Sequence, residues 1–315
     1  MLESFAQEIL AKLRAAQKIV LALHCNPDAD SLGSAAALAE FLKAQGLAFQ
    51  YYCATALPSQ AALFGIAPDK ILTPAELSVF ASAVICVFDA GDLAHAGLHA
   101  LKSWPFIINF DHHATNTRFG AINAVDTTCA STTEVVYGFL NALRAMVSPR
   151  LARYLLAGLL TDTDHFMNPA TSASALIMAA RLLSQGVGLN ALRQILFEQR
   201  GIADLQLIGE ALARLQNTRY GLAFTYLTEE DALRHGVKLE QAADLANILN
   251  VVNDARAMMV IKHEAGVVKV SMRTTRSDVD LSRLAEALGG GGHPKAAGFR
   301  FRGTLQIKGD CVRVL

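Results

Sequence analysis

Net charge, aromatic side chains, paired cysteines and long apolar runs are all scarce in this sequence. Its 28 Lys and Arg residues cancel its 28 Asp and Glu residues, which argues against a partner bound along a long duplex, because that needs a strongly basic surface. One Trp in 315 residues leaves no evident platform for stacking a long single strand. No apolar run approaches the roughly 18 residues that span a bilayer; Ala83–Phe88 and Leu155–Leu160 are far too short, so no membrane partner is expected. The five cysteines (Cys25, Cys53, Cys86, Cys129, Cys311) are odd in number and scattered, a pattern of reduced thiols that points to the cytoplasm. Cys25 reads as a small buried filler. Met1–Arg14 carries Glu3 and Glu8 and reads as an amphipathic helix, not a signal peptide.

What is present is a compact α/β pattern. Apolar residues make up 52% of the chain and charged residues 18%, which excludes disorder, and the length suggests two domains. Lys18–Leu23, Phe49–Ala54, Ala83–Phe88 and Phe106–Phe110 read as buried strands, with helices over Ser34–Gln45 and Ser131–Arg144 between and after them. Near-continuous apolar strands fit a parallel sheet covered on both faces. The expected fold is therefore a doubly wound, largely parallel α/β domain over 1–188, a helical connector over 189–217, and a smaller α/β domain over 218–315. The last contains a strand at Leu222–Leu227, a helix capped by Thr228 with Glu230 and Asp231, a helix over Leu239–Leu249, and a hairpin of Ala257–His263 and Val267–Arg273. A helix over Leu281–Leu288 then runs into Gly289–Gly292.

Three of the first strands end in loops bearing carboxylate or imidazole: His24–Asp30, Asp89–Asp92 and Asp111–His113. Ligands in open α/β sheets bind outside the carboxyl ends of the strands. Asp162, after the helix expected over Arg153–Leu160, brings a fourth cluster. Asp28 and Asp30 alternate in what reads as an extended loop. This oxygen-rich set has few nitrogens and no sulfur, which suits Mn²⁺ or Mg²⁺ rather than a thiolate-bound metal. Carboxylates gathered without cations repel one another and resist ionisation; two divalent ions resolve that repulsion and suit phosphoryl transfer. A lone Asp after a strand is usually a cap or turn former, and that reading stands for Asp92, Asp126 and Glu134. Consecutive glycines let backbone amides approach an anion, and Arg grips phosphate with paired donors. Gly289–Gly292 can equally be a helix terminator. Residues 256–315 hold eleven Lys and Arg against five Asp and Glu, a surplus that favours the anion.

These motifs resemble the DHH phosphoesterases, whose namesake triplet stands here as Asp111-His112-His113. The His24–Gly33 loop, the Asp89 turn, Asp111–His113 and Thr161-Asp162-Thr163 follow in the family's order. Ser271-Met272-Arg273-Thr274 and Gly289-Gly290-Gly291-Gly292-His293 resemble the DHH-associated C-terminal domain. The resemblance covers nearly the whole chain and is closest to the oligoribonuclease/pAp-phosphatase group. It implies two divalent metals, Mn²⁺ ahead of Mg²⁺: one held by His24, Asp28 and Asp89, the other by Asp30, Asp89, His112 and Asp162. It also implies that His113 touches the scissile phosphate and that Asp111 orients a neighbour. Ser271, Arg273, Gly290, Gly291, Gly292 and His293 would hold a short oligonucleotide or small nucleotide across a cleft between the domains. A homodimer is left open. The alternatives are a cyclic-dinucleotide or linear dinucleotide phosphodiesterase and, in another class, a non-catalytic nucleotide-binding module. Two departures from the family stand out: His95 takes the place of an Arg after Asp89, and Asp164-His165 follow the fourth motif and are expected to face solvent.

Overall fold

The computed structural model describes residues 2–77, 83–99, 106–167, 171–188, 190, 192, 201–242, 245–249, 252, 254–308 and 311–314. The chain divides into two compact units, Met1–Glu198 and Gln199–Leu315.

The first unit opens with α1 (Leu2–Ala15), then β1 (Ile19–Leu23), α2 (Ala29–Ala44), β2 (Gln50–Tyr52), β3 (Ile71–Leu72) and α3 (Pro74–Leu77). It continues with β4 (Val84–Phe88), β5 (Phe106–Asp111), β6 (Ile122–Val125), α4 (Thr132–Ala142), α5 (Pro149–Asp162) and α6 (Ala173–Ser184). All six strands pair in parallel, in the order β3-β2-β1-β4-β5-β6. Every residue of β1 and β4 is buried, as expected of central parallel strands between two layers. Ile19, Leu21 and Leu23 pack with α1, α2, α4, α5 and α6 on one face. Val20 and Ala22 face Leu77, Ala96 and Leu98 on the other. The strands run outward from β1 to β3, then return to β4 beside β1 and run outward again. That reversal makes the carboxyl ends of β1 and β4 the switch point, where a ligand crevice opens in such sheets.

Helix α2 begins five residues before the expected Ser34. Asp28 caps it: its Oδ1 accepts hydrogen bonds from the amides of Asp30 (3.0 Å) and Ser31 (3.1 Å). The expected extended loop with alternating Asp28 and Asp30 is thus incorrect, because an Asp at this position satisfies orphan amides and starts the helix. Asp30 lies in the first turn. The edge strands β3 and β6 escaped notice because they are two and four residues long.

The second unit comprises α7 (Ile202–Ala213), β7 (Gln216–Asn217), β8 (Leu222–Thr228), α8 (Glu229–His235) and α9 (Leu245–Ile248). It continues with β9 (Ala257–Glu264), β10 (Val267–Arg273), α10 (Leu281–Ala287), β11 (Gly291–His293), β12 (Ala296–Arg302), and the pair β13 (Leu305–Lys308) and β14 (Cys311–Val314). Its mixed sheet has the order β11-β12-β10-β9-β8-β7. Helix α7 lies within the stretch expected to connect the domains. It packs Leu207, Ile208 and Ala211 against Leu227, Met258 and Val260, so this part of the stretch belongs to the core of the second unit. Residues 189, 191 and 193–200 lie outside the described set. The helix expected over 239–249 comes as a 3₁₀ turn, Leu239–Ala242, and the short α9. The expected cap of α8 is a capping box between Thr228 and Asp231, with Glu230 beside it in the first turn.

Helices α2 and α5 cross at glycine. A Cβ at Gly158 would stand 2.5 Å from Thr133 Cγ2, 2.7 Å from Asp30 Oδ1 and 2.9 Å from Asp30 Cα. Gly158→Ala is therefore expected to cost about 1–3 kcal/mol through overpacking, lowering the thermal midpoint by about 3–10 °C. Calorimetry on the full chain checks this, and an unchanged midpoint would show that the crossing has slack.

Candidate active site

The first unit gathers its polar side chains at the switch point. His24 follows β1, and Asp89 follows β4 in a left-handed conformation (φ 59°), an arrangement that costs energy in a non-glycine residue and clusters at functional sites. Ser31 ties the two strand ends together, its hydroxyl donating to the Phe88 carbonyl and accepting from the His24 amide, both at 3.3 Å. Asp111 ends β5, with His112 and His113 after it, and Asp162 is the last residue of α5.

Asp89 is the centre of the arrangement. Its Oδ2 lies 3.3 Å from His24 Nε2, and its Oδ1 lies 3.7 Å from His112 Nε2 and 3.6 Å from His113 Nδ1. His24 Nε2 stands 3.6 Å from Asp28 Oδ1, and His112 Nε2 stands 3.1 Å from Asp162 Oδ2. Among the described residues, three sets of side chains could each hold a metal ion with ligand atoms within 4.8 Å of one another: His24, Asp28 and Asp89; Asp30, His112 and Asp162; Asp89, His112 and His113. Asp89 and His112 each belong to two sets.

Neighbours hold these groups in place. The His24 Nδ1–H reaches the Cys25 carbonyl at 2.8 Å, which leaves Nε2 to face the carboxylates. Cys25, expected to be a buried filler, is half-buried and serves through its backbone. Asp30 is fully buried and accepts the first amides of α4, Thr132 N at 2.6 Å and Thr133 N at 2.9 Å. A helix N-terminus favours such an anion. The Thr132 hydroxyl donates to Asp89 Oδ1 at 2.9 Å. Asp111 bonds His113 Nδ1 at 2.8 Å and accepts from the Asn116 amide, which also donates to the Ala90 carbonyl. Thr132 and Asn116 were not singled out from the sequence. Thr132 has one local signal, its place directly after the Ser131 cap; Asn116 has none.

The residues read as structural behave so. Asp92 Oδ1 accepts the His95 amide, Asp126 Oδ1 accepts Thr128 N and Oγ1, and Glu134 accepts the Ala130 amide. His95 stacks its ring 4.7 Å from that of His24. Asp164 and His165 are exposed.

The electrostatics fit a cation. Burial disfavours a charged His24, yet Asp28 and Asp89 outweigh it and push its pKa up to about 11. His112 is likewise disfavoured by burial but pushed up to about 10 by Asp162, Asp30 and Asp89. Burial, Asp162 and Asp89 hold the Asp30 carboxyl well above the usual range. Burial also raises Asp162, aided by Asp89 and Asp28 and opposed by His112. Protons thus stand in for the positive charge the carboxylates demand. His112 Nε2 is buried among these carboxylates, and although 3.1 Å from Asp162 Oδ2 it makes no hydrogen bond. Close oxygens without hydrogen-bond alignment suit a lone pair directed at a metal shared with them.

In the second unit, Ser271 and Arg273 lie two residues apart on β10, opposite Gly298 and Ala296 of β12. Gly289 ends α10 with φ 75°, the terminator role foreseen for the run. Gly290 is there for close approach: a Cβ would fall 2.1 Å from the Gly298 carbonyl oxygen. Gly291, Gly292 and His293 form β11. Ser271, Arg273, Gly290 and Gly291 line a cavity of about 410 Å³ with Lys269 and Arg300. Gly292 and His293 are not in that lining and are exposed.

Residues 18–159 match the DHH family, N-terminal domain, and residues 220–308 match the DHHA1 domain. A bifunctional oligoribonuclease and PAP phosphatase of Thermus thermophilus is 31% identical over 297 residues, which cover 94% of this chain and 88% of that protein. The chain belongs to the DHH family. This is a metal-dependent phosphoesterase family, and the chain is a hydrolase acting on phosphoester bonds. A bifunctional oligoribonuclease and PAP phosphatase of Bacillus subtilis is 23% identical over 294 residues, 92% of this chain and 91% of that one. The crystal structure of an exopolyphosphatase-related protein from Bacteroides fragilis shares the fold, with a TM-score of 0.83 at 23% identity over 96% of this chain and 92% of that chain. No helix among the described residues is long and apolar enough to cross a membrane.

The raised imidazoles make metal uptake proton-linked. His24 and His112 carry protons at pH 7, and a divalent metal held by both would displace them, so metal binding is expected to release on the order of two protons. Apparent affinity then rises from pH 6 to 8. Titration calorimetry in buffers of different ionisation enthalpy measures the release, and identical heats in all buffers would refute it.

Proposed function

We propose that this protein is a cytoplasmic two-metal phosphoesterase that hydrolyses short oligonucleotides to mononucleotides and removes the 3′-phosphate from 3′-phosphoadenosine 5′-phosphate. The observation carrying this reading is the convergence of His24, Asp28, Asp30, Asp89, His112 and Asp162 on overlapping ligand sets, with a buried His112 nitrogen left for a cation. His24, Asp28 and Asp89 would hold one ion and Asp30, Asp89, His112 and Asp162 the other, Mn²⁺ ahead of Mg²⁺. Bound there, two divalent cations activate water and neutralise charge developing on phosphoryl oxygens.

The chain's own residues do the positioning. Asp111, held by Asn116, fixes His113 through Nδ1, which leaves Nε2 to donate to a non-bridging oxygen of the scissile phosphate as its charge grows. Ser271, Arg273, Gly290, Gly291, Gly292 and His293 bind the substrate's terminal phosphate and nucleotide. Arg273 supplies the paired donors, and half-burial, which lowers its pKa, strengthens its pull on an anion. The names of the Thermus and Bacillus relatives support this substrate class.

A panel of a dinucleotide, a 5-mer, 3′-phosphoadenosine 5′-phosphate, cyclic di-AMP and pyrophosphate, assayed with Mn²⁺, tests the reading. Turnover is expected for the first three; turnover confined to the last two would overturn it. A chelator should abolish activity and Mn²⁺ restore it. Loss of an outer-shell partner of a metal typically costs 10–100-fold, so Asp89→Asn should cost more than about 100-fold in kcat with the far-ultraviolet circular dichroism unchanged.

Arg273→Ala should raise KM for phosphate-ended substrates about 10–100-fold, the equivalent of about 1.5–3 kcal/mol for hydrogen bonds to a charged group. An unchanged KM would remove Arg273 from the phosphate site.

A further inference from the structure

Among the described residues of the second unit, helices cover only half of one face of the mixed sheet. Over β8 and β9, Ala223, Leu227, Met258 and Val260 are buried together with residues of α7, α8 and α9. Along β10, Val268, Val270 and Met272 are buried in the other layer with Leu281 and Ala285 of α10. Lys269, Ser271 and Arg273 alternate with them and line the cavity of about 410 Å³.

The register sets three cations side by side. Lys269 of β10 lies directly opposite Lys262 of β9 and directly opposite Arg300 of β12. Like charges directly opposite each other destabilise a sheet, with Cβ atoms about 4.5–5.5 Å apart. Lys262 is turned aside, its Nζ donating to the Ala242 carbonyl at 2.6 Å. Lys269 and Arg300 have no carboxylate ion-pair partner among the described residues. Both share the cavity with Arg273, Gly290 and Gly291. From Arg273 to Lys269 the strand advances about 14 Å, farther than a single phosphate bridges. On the far side, Lys262, Lys269 and Arg300 meet Glu240 and Glu264 around an adjoining cavity of about 240 Å³.

We propose that Lys269 and Arg300 bind a second phosphate of a short single-stranded oligonucleotide whose first phosphate is held at Arg273, and that Glu240 and Glu264 close the row against further phosphates. The face therefore favours strands of a few nucleotides. This rests on the function proposed above and deepens it by adding a determinant of substrate length.

The test compares the full-length chain with Lys269→Gln/Arg300→Gln. Binding of a labelled RNA tetramer is followed by fluorescence anisotropy in chelator, which needs no turnover, across a range of salt. Loss of one phosphate contact should make the plot of log K against log salt shallower by about 0.7. Lys269→Arg, which keeps the charge, should retain the slope. With Mn²⁺, kcat/KM for the tetramer relative to the dinucleotide should fall about tenfold. Glu240→Gln/Glu264→Gln should raise affinity for an octamer relative to the tetramer. The double Gln variant should keep or raise the thermal midpoint, since it relieves like-charge contact. An unchanged slope, or an equal loss for dinucleotide and tetramer, overturns the proposal. Absence of any hydrolysis by the unaltered chain would instead defeat the phosphoesterase substrate reading, while the slopes still decide the surface.

Discussion

The first unit is organised around one electrostatic constraint: the carboxylates of Asp28, Asp30, Asp89 and Asp162 crowd at one edge of the sheet, Asp30 and Asp89 buried, and demand positive charge. Burial and mutual repulsion push Asp30 and Asp162 up, while His24 and His112 are driven to hold protons in compensation. A protein selected for stability alone would discard such a cluster, since buried ionised groups are costly unless paired. Here the surroundings are built to keep it. Asp89 holds a left-handed backbone, Asp30 is clasped by the first amides of α4, and Gly158 clears the space beside it.

The sheet order explains how residues between 24 and 162 arrive together. Parallel strands place every carboxyl end on the same edge, and the reversal between β1 and β4 leaves no crossover connection above their junction. His24 and Asp89 occupy that junction, Asp111 and the two following histidines come from the next strand, and α5 delivers Asp162 at its last turn. Each metal-binding candidate sits at the end of a regular element, so its placement follows from packing of the element's apolar face.

Legibility in the sequence followed the range of the interaction. The parallel sheet was readable because β1, β4 and β5 are near-continuous apolar runs, and the site was readable because carboxylates and imidazoles follow those runs directly. The loop around Asp28 was misread, because capping turned a presumed extended segment into the first turn of a helix whose alanine-rich face blurs its periodicity. The roles of Thr132 and Asn116 could not be read for another reason. Thr132 matters only through its contact with Asp89, 43 positions away in sequence, and an Asn five residues after Asp111 has nothing local to mark it as that carboxylate's partner. The GGGG run held two roles that composition could not separate: Gly289 ends a helix, and Gly290 admits a neighbouring carbonyl.

The overall charge balance conceals the same physics used twice with opposite sign. The six-charge basic excess of residues 256–315 is matched by an equal acidic excess over residues 1–255. In the first unit, acidic groups are crowded past the point at which they ionise freely, so cations are favoured guests. In the second, Lys269 stands directly opposite Lys262 on one neighbouring strand and Arg300 on the other, the basic row on which the proposed second phosphate site rests. A chain with no net charge thus carries an acidic cluster in one unit and a basic row in the other, and net charge alone reports neither.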